Sequence, residues 1–104
     1  MNVHIRLEEE VEYPLSLTDL MQRDFTSAGH RVTSLKNADI AVVSYRDVAI
    51  EVALEHPSIK IYLLRGVDPE SYLAYAVEEI GSERAEVVCY CDLLYFLNSK
   101  VPYK

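Results

Sequence analysis

Asp47, Glu51 and Glu55 recur at four-residue intervals through RDVAIEVALEH. On a helix this spacing stacks three carboxylates along one face. A carboxylate aimed into a cleft can act as a nucleophile and hold a covalent intermediate. The same acids on an open face form a solvated stripe, and their regular spacing by itself favours that reading. For Glu51 as a catalytic nucleophile, the chain supplies a candidate ligand-binding set. Tyr45 and Asp47 stand just before it, Arg65 ends the following strand, and Glu9 and Glu10 follow the first strand.

Other reactive groups are sparse. Cys89 and Cys91 flank Tyr90; on a strand they would point the same way, yet a bridge between them would strain the backbone. The opening MNVHIRLEEE has neither the basic nor the apolar segment of a secretory signal, so both cysteines are expected to be reduced, structural thiols in a cytoplasmic protein. VCYCD offers too few ligands for a metal, and neither a metal nor a cofactor is expected. His4, His30 and His56 are scattered along the chain, and the dipole at a helix C-terminus accounts for His56. No GxGxxG or GxxxxGK[ST] occurs, and the acids after the first strand have the wrong charge for a phosphate cradle.

Those residues are positioned by a regular succession of elements. NVHIRL alternates apolar and polar side chains, which predicts a half-exposed strand. SLTDLMQRDFTSAG predicts a helix capped by Ser16 and ended at Gly29. HRVTSL is a short strand joined by KNA to DIAVVSY, whose unbroken apolar run suits a strand buried on both faces. RDVAIEVALEH is a helix stopped by Pro57, and IKIYLL is a fourth strand. In VDPESYLAYAVEEIG, Asp68 is placed to cap, Gly81 to terminate at positive φ, and Tyr72, Leu73, Ala76, Val77 and Ile80 to face the core. AEVVCYC and DLLYFLNSK follow as a fifth strand and a closing helix capped by Asp92.

Strand and helix alternate, so the fold class is α/β: a single three-layer, Rossmann-like or flavodoxin-like domain over residues 1–104, with about five mainly parallel strands and helices on both faces. KNA is too short for a helical crossover. Either the second strand runs antiparallel at an edge, or an abbreviated connection replaces a lost helix. Bacterial receiver domains share this layout, but the hydroxyl and the lysine of their phosphorylation site are missing after the fourth and fifth strands. NADIAVVSYRDVAIEVALEHPSIKIYLL resembles the middle of nucleoside 2-deoxyribosyltransferases and their TIR-like relatives. That resemblance spans residues 37–97 and sets Asp39 on the family's strand acid and Glu51 on its nucleophilic carboxylate. It implies action on an N-glycosidic bond and a small nucleoside-like ligand. The family's Gly-containing loop after the first strand is LEEE here, and Val48, Ala49 and Ile50 replace the glycine before its Glu.

The formal charge is −7, from 17 acidic and 10 basic residues. Such a balance repels phosphate backbones and argues against general nucleic-acid binding. No apolar run reaches the roughly 20 residues of a membrane span. Eight tyrosines occur with no tryptophan, and exposed tyrosines are good interface anchors. The expected function is therefore a small soluble, non-catalytic binding domain that engages a protein partner or forms a homodimer. Tyr95, Phe96 and Tyr103 are the expected self-association residues, because DLLYFLNSK is apolar over too much of its circumference to be covered by one sheet face. The enzyme reading built on Glu51 is the alternative.

Overall fold

The computed structural model describes residues 1–7 and 17–98, with side chains as far as Tyr95. At its centre β3 (Ile40–Val43) pairs with β4 (Lys60–Leu64), Val42 standing opposite Tyr62 and Val43 opposite Leu63. Val42, Val43, Ile61 and Leu63 are completely buried, as their continuous apolar runs predict. β1 (Asn2–Arg6) flanks β3, β2 (Arg31–Val32) forms one edge, and β5 (Ala85–Val88) forms the other. The order is β2-β1-β3-β4-β5 and every pairing is parallel. This is the flavodoxin-like arrangement.

Two cores follow from the alternation of side chains across the sheet. On one face Ala41, Val43, Ile61 and Leu63 pack against α2 (Arg46–Glu55) and α3 (Glu70–Ile80) through Val48, Ala49, Val52, Leu73 and Ala76. On the other, Val3, Val42, Tyr62 and Leu64 pack against α1 (Leu17–Ser27) and α4 (Tyr90–Asn98) through Met21, Phe25 and Leu93. No helix among the described residues is long and apolar enough to cross a membrane.

The connection between β2 and β3 takes the abbreviated form. Val32 and Ile40 both stand level with Val3, on opposite sides of β1. Residues 33–39 thus pass beneath the start of β1 with a single 3-10 turn, Leu35–Asn37, in place of a helix. Asn2 fixes this passage: its amide donates to Asp39 Oδ2 at 2.8 Å and its side chain to the Asn37 carbonyl at 3.0 Å. Without a crossover helix, the α2–α3 layer leaves His4 and Arg6 of β1 only half-covered, and the polar alternation of NVHIRL suits that face. Asp39 therefore lies at the amino ends of the strands.

Several local expectations change. The fifth strand stops at Val88, because α4 begins at Tyr90, two residues before the Asp92 expected to cap it. Tyr90 turns inward and donates its hydroxyl to Asp24 on α1, and its ring packs near Phe25. Gly81 ends α3 with φ of 111°, the expected sign, but with ψ of 133° instead of the left-handed helical value. Ser16 lies outside the described residues. Arg84, which the sequence does not single out, clamps the α2–β4 loop by donating to the carbonyls of Ile59 and His56.

Candidate functional site

In open parallel sheets, ligands sit outside the strand carboxyl ends where the strand order reverses, here between β1 and β3. Ser44 follows β3, and its buried hydroxyl donates to the Leu7 carbonyl at 2.6 Å, tying the two strand ends together. Tyr45 adopts extended backbone before α2, and its ring packs partly buried on the α2–α3 core. Asp47 lies 3.1 Å from the Arg46 guanidinium. Glu51 keeps 52% of its side-chain surface exposed and pairs with Arg6 at 3.3 Å, on the flank of α2 that faces β1. Arg65 donates to Glu70 at 2.9 Å and has Cys89 Sγ at 3.8 Å. The structure therefore gives Glu51 and Arg65 separate partners. Glu9 and Glu10 lie outside the described residues.

Asp68 does not cap α3. The residue at that helix start is Pro69, with no side-chain cap, and Asp68 Oδ2 accepts the Arg46 amide at 2.8 Å. It thus serves the positive end of α2 from the loop after β4. Cys89 and Cys91 are free and exposed, where structural thiols would be enclosed. Cys89 follows the end of β5 and Cys91 lies in the first turn of α4, so neither is part of the sheet. Burial, then the hydrogen bond to Asp24, raises the Tyr90 phenol well above its ordinary range. Burial, then Glu86, raises that of Tyr62.

The side chains that gather most distinctly lie elsewhere, on the outer surface of α2 and α3. Tyr72, expected in the core, is instead 48% exposed, and Tyr75 is 47% exposed. The Arg46 guanidinium stands 4.9 Å from the Tyr72 ring centroid and 5.5 Å from that of Tyr75. Arg46 is in turn held by Asp47. Val67, in the loop that carries Asp68, is also exposed, and Leu54 on α2 is 77% exposed. Among the described residues six large apolar side chains are exposed, and four of them belong to this layer. The signal was present in the spacing. Tyr72, Tyr75 and Glu79 repeat at i, i+3 and i+7, which places Tyr72 on an outward stripe beside the core stripe of Leu73, Ala76, Val77 and Ile80.

On the opposite layer Leu93 is buried, Leu94 packs beside it, and Tyr95 is 80% exposed. The side chain of Phe96 and all of Tyr103 lie outside the described residues. Open depressions lie at two places among others on the described surface. One, of about 420 Å³, is lined by Leu35, Lys36, Glu55, His56, Pro57 and Ser58, and the other, of about 340 Å³, lies between α1 and α4 at Asp24, Ser27, Ala28 and Leu94. Neither includes Glu51, Tyr45 or Arg65. Among the described residues no group of three or more His, Cys, Asp or Glu side chains is placed to hold a metal ion. No family model, curated protein or solved structure matches the chain.

Proposed function

We propose that this chain is a non-catalytic protein-binding domain whose recognition surface is the outer face of α2 and α3. The observation that carries this reading is the cluster of Tyr72 and Tyr75 around Arg46; Val67 and Leu54 are exposed in the same layer. Tyrosine and arginine are among the residues that dominate the energetics of protein interfaces, and here two half-exposed tyrosines share one arginine. The rings are also held in place before any partner arrives, which reduces the entropy lost on binding. At the strand carboxyl ends, by contrast, Ser44, Asp68 and Arg65 already serve internal contacts.

The test is capture of partners from source lysate by the wild-type chain and by Tyr72→Ala/Tyr75→Ala. Both side chains are half-exposed, so the double variant is expected to keep its circular dichroism and lose the partner. Equal capture by both proteins counts against this surface. A nucleoside or nucleotide N-glycosidase activity that disappears in Glu51→Gln would overturn the non-catalytic reading. The exposure of Tyr95 on α4 supports a second contact, between two copies of the chain. On that reading the wild type sediments as a dimer and Tyr95→Glu as a monomer; a monomeric wild type at high micromolar concentration removes it.

A further inference from the structure

The charge around the tyrosine pair indicates the chemistry of what binds there. The α2 and α3 helices carry six carboxylates, Asp47, Glu51, Glu55, Glu70, Glu78 and Glu79, against one cation, Arg46. The α1 and α4 helices carry three, Asp19, Asp24 and Asp92, against Arg23. Among the described helices the acidic excess is therefore greater on the α2–α3 side of the sheet. Three of the six have guanidinium partners: Asp47 with Arg46, Glu51 with Arg6, and Glu70 with Arg65. Glu78 and Glu79 are exposed and have no cationic partner among the described residues. They follow Tyr75 at i+3 and i+4, so they adjoin its ring on the same helix surface.

Resting on the protein-binding reading, we infer that the segment docking on α2 and α3 is cationic, a stretch of a partner protein bearing arginine or lysine side chains. The aliphatic stem of such a residue lies against Tyr75 while its head group meets Glu79 or Glu78. Aromatic ring faces attract cations, and Arg46 already uses the Tyr72 and Tyr75 rings in that way. The acidic layer adds a longer-range attraction, which orients a basic partner before contact and weakens as salt screens it. An acidic segment would meet repulsion from the rim, and a neutral one would leave the carboxylates without counter-charges.

The experiment is a two-dimensional NMR titration of isotope-labelled protein with synthetic peptides of ~12 residues, a segment long enough to lie along one helix face. One peptide is rich in arginine and lysine; two controls of the same length replace those residues with glutamine or glutamate. Saturable shifts confined to residues 46–55 and 66–80 are expected with the basic peptide alone. Glu78→Gln/Glu79→Gln and Tyr72→Ala/Tyr75→Ala should each weaken it roughly tenfold. Raising salt from about 0.05 to about 0.3 M should weaken it further. Shifts spread equally over α1 and α4, equal binding of a control peptide, or no saturable binding would each overturn the inference. The two readings separate in lysate capture. A partner lost from Tyr72→Ala/Tyr75→Ala but retained by Glu78→Gln/Glu79→Gln leaves the protein-binding surface standing and removes the cationic partner. A partner unaffected by either pair removes the surface itself.

Discussion

Asp68 contributes to a helix other than the one it precedes in the chain. Its carboxylate accepts the Arg46 amide, so replacing it with alanine is expected to cost about 1 kcal/mol at the start of α2. Residue-resolved hydrogen exchange checks the assignment: amides of 46–48 should exchange faster in Asp68→Ala, while those of 70–72 stay unchanged. Val42 is enclosed between two helical layers at the centre of the sheet. Val42→Asp places an unpaired charge there and should cost several kcal/mol; an unaltered melting temperature would contradict its position. Gly81 sits at φ of 111°, where a Cβ would meet no neighbouring atom. The cost of Gly81→Ala is thus backbone strain alone, on the order of 1–3 kcal/mol, read as a lower denaturation midpoint.

The elements themselves could largely be read from periodicity. DIAVVSY and IKIYLL were recognisable as buried strands because burial on both faces requires unbroken apolar sequence. The boundaries that misled were those set by tertiary partners. Tyr90, the first residue of α4, donates its hydroxyl to Asp24, sixty-six positions earlier in the chain, and no local pattern reports such a contact. Tyrosine suits both a core and a ring stacked on a cation, so the residue type at 72 does not decide its side, and the cation that faces its ring comes from a different helix. The candidate site was correspondingly less legible than the fold, since Arg46, Tyr72 and Tyr75 meet only once α2 and α3 are packed. The α1–α4 joint has a measurable pH signature. Burial and Asp24 raise the Tyr90 pKa above the ordinary value of 10.0, so the folded state holds its proton more tightly than the unfolded chain. That contribution is complete below about pH 10 and declines as the unfolded phenol ionises at higher pH. Tyr62 shifts in the same direction. Denaturation curves from pH 8 to 11 should therefore show stability falling above about pH 10, less steeply in Tyr90→Phe, where one of the two groups is gone.

Among the described residues the molecule is polarised, with the acid-rich α2 and α3 on one side of the sheet and the less acidic α1 and α4 on the other. Like charges gathered on α2 and α3 repel one another in the free protein. Glu78→Gln/Glu79→Gln is thus expected to raise stability by a few tenths of a kcal/mol, roughly the scale of like-charge helix pairs. Added salt should raise the wild-type melting temperature more than that of the variant; the reverse order would show that these acids stabilise the fold. A surface kept at some cost in stability is what a binding role requires. The short passage from β2 to β3 has a different consequence, for how the chain tolerates change in length. Its two ends stand at the same height beside β1, where the α2–α3 layer leaves His4 and Arg6 only half-covered. Extra residues inserted between Thr33 and Asp39 would lengthen a surface loop without shifting any strand, and loop closure grows only slowly more costly with length. The position is a natural graft point, where a whole amphipathic helix could be added over β1 and β2 while the five-stranded order stays as it is.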